Sequence, residues 1–125
     1  MTVDVNILEQ AWLERDGAVV VTTVDSDGMP NSIYATCVGF SDDKHIVIAD
    51  NYFSKTKQNI ESKSKVSILF ITKEGNSYQV KGDVEYHTSG KLFDWMKGWN
   101  PTKHPGKGAL VVNTTEMYSG AKKLL

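Results

Sequence analysis

IVIADNYFSKTKQNIESKSKVSILF, residues 46–70, carries the pattern on which the fold turns. HIVIAD (45–50) reads as a strand, and Asp50 and Asn51 are ordinary turn residues. A helix is expected over about 54–63, capped by Ser54, whose hydroxyl can accept a bond from an orphan backbone N–H one turn on. KVSILFIT (65–72) returns as the next strand. The helix raises two questions. Lys55 and Lys57 stand in its first turn, where the positive end of the dipole favours Asp or Glu. Ile60 is its single strong apolar residue, so packing alone does not account for its position. Backbone N–H groups at a helix start, a lysine and one or two hydroxyls together make a phosphate site without a glycine-rich loop. A bound anion at Ser54, Lys55 and Thr56 removes the charge conflict; a solvated helix with outward lysines is the plainer alternative.

Working outward, the spacing of Val5, Leu8, Ala11 and Trp12 in VDVNILEQAWLE predicts a short amphipathic helix ended by Gly17. AVVVTTV (18–24) and NSIYATCVGF (31–40) read as two strands joined through the turn chemistry of DSDGMP. Beyond the central stretch, KEGN is a hairpin turn and SYQVKGDVEYH (77–87) a strand with Gly82 as a candidate bulge. SGKLFDWMKGW is helix-like, with Ser89 as its expected cap; NPTKHPGKG reads as a loop and ALVVNTTEMYS (109–119) as the last strand. The expected fold is mainly β: a six-stranded antiparallel split β-barrel with a few short helices, one domain over residues 1–125.

Composition narrows the function. Fourteen basic residues stand against 15 acidic ones for a net charge of −1, which gives no electrostatic footprint for nucleic acid or an anionic membrane. Arg15 is the only arginine, so a bound anion must be held by lysines, hydroxyls and backbone amides. Cys37 is alone and reads as a small core residue; His45, His87 and His104 lack metal-ligand spacing. The acidic start and the lack of a membrane-length apolar run predict a soluble cytoplasmic protein. Asp25 with Asp27 and Asp42 with Asp43 are explained by turns, and no nucleophile or nucleotide fingerprint is present.

The segment 46–70, the run SYQVKGDVEYHTSGKLFDWM and the order of strands in VVVTTVDSDGMPNSIYATCVGFSDDKHIVIADN together resemble the pyridoxamine 5′-phosphate oxidase-like FMN-binding split barrels over roughly residues 17–118. The resemblance implies FMN as cofactor. Ser54, Lys55 and Thr56 fall on the phosphate-binding positions, where relatives often carry Arg then Lys. Ala49, Asp50 and Asn51 match the turn along the isoalloxazine edge. Ser32, Ile33, Tyr34 and Ala35 match the strand that faces the flavin, and Gln79 a glutamine that reaches the ring or the neighbouring chain.

It also implies a homodimer with FMN at the subunit interface, for which Trp95, Met96, Trp99 and Tyr118 are candidate contacts, Trp95 being placed rather in the monomer core. Lys103, His104 and Lys107 lie on a loop that reads as a solvated charged segment, or else as a candidate lid able to meet an anionic substrate. The activity implied is an FMN-dependent oxidoreductase passing electrons or hydride between FMN and a small acceptor, with no protein acid or base required. The vitamin-salvage oxidase itself is not expected, because ALVVNTTEMYSGAKKLL has no Arg-x-His motif. The alternative is a non-catalytic FMN carrier or one-electron transfer protein, ahead of a haem- or deazaflavin-binding relative or a barrel that has lost its cofactor.

Overall fold

A computed structural model describes residues 5–125. The elements run α1 (Val5–Leu13), β1 (Val19–Val24), β2 (Pro30–Ala35), β3 (Val38–Phe40), β4 (Ile46–Asp50), α2 (Lys55–Glu61), β5 (Val66–Ile71), β6 (Ser77–His87), α3 (Lys91–Trp99), β7 (Gly108–Ser119) and β8 (Lys122–Lys123). Val3 and Asp4, the first residues of the segment expected as a helix, lie outside the described residues.

The strands form one antiparallel sheet in the order β2-β1-β5-β6-β7-β4-β3, with β8 paired to β7. Its two ends, β2 and β3, are consecutive in the chain and separated by Thr36 and Cys37 alone, so the sheet curls until its edges meet at that corner. The Ala49 N–H donates to the Cys37 carbonyl (3.0 Å) and fastens the corner to β4. Curling explains the departure from six strands: NSIYATCVGF is broken at Thr36–Cys37 into β2 and β3, since one straight strand cannot serve both edges, and β8 adds a short return.

Alternation sets the core. Val19, Val21, Ile68, Phe70, Val80, Leu110 and Val112 point inward and meet Leu8 and Trp12 of α1, which plugs one end. β4 is buried on both faces: Ile46 and Ile48 join this core, while Val47 and Ala49 lie under α3 with Met96, Ala109 and Val111. The expected bulge is present, since the β6–β7 register shifts between Lys81 and Gly82.

The helices differ from the expected ones at their caps and in their rotation. Gly90, at φ 94°, occupies the N-cap of α3 in place of Ser89, because that cap adopts a left-handed backbone that serine resists. Met96, expected at an interface, is fully buried, whereas Trp95 stands 36% exposed, because the α3 face that meets β4 and β7 is the one Met96 occupies. Ser54 is the N-cap of α2 by its backbone but makes no side-chain capping bond, which leaves its hydroxyl free of that duty.

Candidate functional site

α2 is seated by polar rather than apolar side chains. Thr56 and Asn59 are buried beside Ile60; the Asn59 amide donates to Thr23 Oγ1 (2.9 Å) and the Asn31 amide to Thr56 Oγ1 (3.2 Å). Each bond satisfies a group that would otherwise be costly to bury. They lock the helix to β1 and β2, and this accounts for a helix with so little apolar surface. Thr56 is only 1% exposed and its hydroxyl is turned to β2, so any contact it makes with a phosphate is through its backbone N–H. Ser54 and Lys55 are exposed, and Lys55 enters no ion pair among the described residues. Lys57 is otherwise engaged, 3.5 Å from Glu61 and over the Tyr86 ring at 4.5 Å.

The turn between β4 and α2 is a buried polar junction. Asp50, 2% exposed, accepts the Phe53 N–H on Oδ1 (3.0 Å) and the Tyr86 hydroxyl on Oδ2 (2.6 Å). Asn51 and Asn100 exchange amide hydrogen bonds at 3.1 and 2.9 Å, and Asn51 Oδ1 also accepts the Gly106 N–H at 3.0 Å. The Lys107 N–H reaches the Asp50 carbonyl (2.8 Å), and Lys97 caps the Pro105 carbonyl (2.9 Å). The loop over 100–107, read from the sequence as either a solvated charged loop or a candidate lid, is therefore strapped to the β4 turn along its length. Tyr52 and His104 complete the strap, with hydroxyl and Nδ1 3.1 Å apart and the rings edge-on.

These contacts frame a cleft of about 280 Å³ at the corner where the sheet edges meet. Ile33, Ala35, Ala49 and Phe53 supply apolar walls, Cys37 and Thr36 the corner itself, and Tyr34, Tyr52, Asn51 and His104 its rim. Of the residues expected from the sequence, the structure brings Ile33, Tyr34, Ala35, Ala49 and Asn51 into this cleft. Asp50 lies behind it, and Ser54 and Lys55 follow Phe53 out of it. Ser32 lies outside the cleft, on the same face of β2 as Tyr34, and shares a 2.7 Å hydroxyl contact with Thr22. Gln79 is also apart, on β6, where its Oε1 accepts the Ser67 hydroxyl (2.7 Å).

Tyr52, Phe53, Thr36 and Cys37 as lining residues, and the Asn51–Asn100 pair, are features that only the folded chain shows. Tyr52 and Phe53 carry a usable signal, two aromatics inside a polar turn. The amide pair spans 49 positions and leaves none. Cys37, expected in the core, is half-buried: it packs against the cluster under α3 and also borders the cleft.

Burial, and then the neighbouring Asp50 carboxylate, push the Tyr86 hydroxyl well above its ordinary range. The raised folded value means that the protonated form is favoured in the native state. Its contribution is complete below the unfolded tyrosine value of about 10 and is lost as pH climbs from there toward the folded value. Stability should therefore stay level through neutral pH and fall above about pH 10. Tyr86→Phe should flatten part of that fall when melting temperature is followed against pH; an unchanged alkaline slope would show that Tyr86 is not the group responsible.

Comparison with known proteins agrees with this fold. The family profile of pyridoxamine 5′-phosphate oxidase matches residues 9–119. An uncharacterized protein of Methanocaldococcus jannaschii is 35% identical over 107 residues, covering 81% of this chain and 71% of that protein. The crystal structure of HupZ from Group A Streptococcus superimposes with a TM-score of 0.77 at 25% identity, covering 95% of this chain and 94% of that one. An FMN-binding protein from Syntrophomonas wolfei, 22% identical, shares the fold with a TM-score of 0.80 over 98% of this chain and 90% of its own. With the profile spanning nearly the whole barrel and the corner cleft built from its strands, the chain belongs to the pyridoxamine 5′-phosphate oxidase family.

Proposed function

We propose that this chain is an FMN-binding oxidoreductase that acts as a homodimer, exchanging electrons or hydride between FMN and a small acceptor. The observation that carries the reading is the corner cleft: apolar on its walls, polar on its rim, and continued past Phe53 by the exposed Ser54 hydroxyl and Lys55 ammonium. Such a cleft suits a flat, largely apolar ring with a phosphate at the end of its tail. FMN, when bound, supplies the redox chemistry, and the chain supplies orientation and electrostatics. Ile33, Ala35 and Ala49 give the ring an apolar surface, and the strapped turn at Asp50–Asn51 holds backbone groups rigidly at its edge. Lys55 and Ser54 meet the phosphate.

Dimerisation is supported by the outer face of the sheet. Tyr34, Val20, Leu69, Gln79 and Tyr118 are successive cross-strand neighbours and form one row from β2 to β7. Tyr34 is 81% exposed, Leu69 44% and Ile71 49%, an apolar content that water-facing strands of this kind rarely display together. Tyr34 also borders the cleft, so a second copy seated on this row would lie beside the flavin, and the row carries Gln79 toward that junction. Leu69→Asp, which places a charge at the centre of the row, should weaken the dimer by at least about tenfold. Sedimentation velocity across a dilution series would read this, and an unchanged distribution would remove the sheet face from the interface.

The reading is tested by the absorbance of the freshly purified protein followed by anaerobic titration with a nicotinamide donor. Flavin bands that bleach support the oxidoreductase, and bands that do not bleach move the assignment to an FMN carrier. A colourless protein that refuses added FMN would overturn both.

A further inference from the structure

Tyr86 stands outside the corner cleft, yet its hydroxyl ends on the residue that shapes the cleft wall. It belongs to β6, where it pairs with Leu110 of β7; Asp50 closes β4, where it pairs with Gly108 of the same strand. Tyr86 and Asp50 thus lie on either side of β7, on strands roughly 10 Å apart. A side chain must cross β7 to join them, and the tyrosine ring does so over Gly108. A Cβ at position 108 would lie 2.5 Å from Tyr86 Cε2 and 2.5 Å from its hydroxyl oxygen, so glycine is what leaves the ring its path. The Lys57 ammonium also stands over the ring, 4.5 Å from its centroid.

The bond matters because of what Asp50 holds. Its carboxylate is 2% exposed and enters no ion pair among the described residues. Its charge is met by two hydrogen bonds, from the Tyr86 hydroxyl to Oδ2 (2.6 Å) and from the Phe53 N–H to Oδ1 (3.0 Å). A buried carboxylate that loses one of two donors is left with an unanswered oxygen, and must turn to find another. Turning takes Oδ1 away from the Phe53 N–H. Asn51 and Tyr52 lie between those two residues, and together with Ala49 and Phe53 they line the cleft. Ser54 and Lys55 follow directly, so the same turn sets where α2 begins and where the proposed phosphate contacts stand.

We infer that Tyr86 is a positioning residue of the corner cleft: acting through the Asp50 carboxylate, its hydroxyl holds the turn over 50–53 in the shape that takes the cofactor. It does not line the cleft itself. That the cleft takes FMN rests on the proposed flavin function; the hold on the turn rests on this chain's own bonds and is measurable without cofactor.

The test is Tyr86→Phe, which keeps the ring over Gly108 and removes the hydroxyl alone. In the ¹⁵N-labelled apo protein, amide exchange at Phe53 should quicken by at least about tenfold. FMN affinity, read by fluorescence quenching well below the melting transition, should fall by about tenfold. A bond that only stabilised the fold would leave the affinity of the folded protein unchanged, so this second readout separates positioning from stability. Asp50→Ala should weaken FMN by itself, and Tyr86→Phe added to it should cost no more than about twofold, because the tyrosine then has nothing to hold. Parent and Tyr86→Phe proteins that bind FMN equally overturn the inference, as does a full tenfold loss repeated in the Asp50→Ala background. A parent protein that does not bind FMN removes the flavin reading alone. Phe53 exchange then decides: a quickened rate upholds the hold of Tyr86 on the turn, and an unchanged rate overturns it.

Discussion

Gly82→Ala should lower stability by about 3 kcal/mol or more and the melting temperature by roughly 10 °C. A Cβ at position 82 would fall 2.0 Å from the Asn113 carbonyl oxygen, 2.9 Å from its carbon and 3.2 Å from Thr114 Cα. All three are backbone atoms of β7, so no rotamer change relieves the overlap. Relief requires β6 to part from β7 at the bulge, where pairing already steps from Lys81↔Glu116 to Gly82↔Thr114. β7 is also the strand that joins β4 to the rest of the sheet, so the displacement reaches the β4 turn at the cleft. Gly98→Ala is the control. Nothing lies within 4 Å of a Cβ there, and the position is inside α3, so the exchange should stabilise by about 0.5–1 kcal/mol through helix propensity. Thermal melts in which Gly82→Ala matches the parent would mean that the bulge is free to relax.

Gly82 also shows what a sequence can disclose. An isolated glycine in an otherwise strand-like run is a local signal for a bulge, and the alternation of SYQVKGDVEYH gives β6 with its observed ends. Local patterns of this kind suffice for most strands, because which face is buried is written at a period of two. They do not reveal the break at Thr36–Cys37, because both halves of NSIYATCVGF are good strand sequence. The bend is imposed by closure of the sheet, a property of all the strands together.

The same division holds at the cleft. The contiguous candidates, Ala49 to Asn51 and Ile33 to Ala35, were within reach because motif order carries them. The Asn51–Asn100 pair and the Tyr52–His104 contact depend on a loop far along the chain folding back. Trp95 and Met96 illustrate a third limit. Both are large and apolar, and only the rotation of α3 on β4 decides that Met96 is buried while Trp95 faces water.

Lys55→Glu should weaken FMN binding by at least about 2 kcal/mol, roughly thirtyfold. α2 spans seven residues, so its dipole is a weak anchor, and the grip on a phosphate falls to side chains. Lys55 is exposed and unpaired among the described residues, and the Ser54 hydroxyl beside it is not spent on capping. Reversing the charge removes one charge-assisted bond and sets a carboxylate against a phosphate. Because Lys55 packs against nothing in the core, the melting temperature of the apo protein should not change. Lys57→Glu separates this specific contact from a general field effect. Lys57 is held over the Tyr86 ring and beside Glu61, so its reversal should cost less binding and some stability. Quenching of flavin fluorescence gives both affinities. If the two reversals weaken FMN equally, the effect is long-range charge and Lys55 is not the phosphate ligand. If only Lys55→Glu does so, and its loss shrinks as salt rises, the ammonium that stood in apparent conflict with the helix start is there for the phosphate.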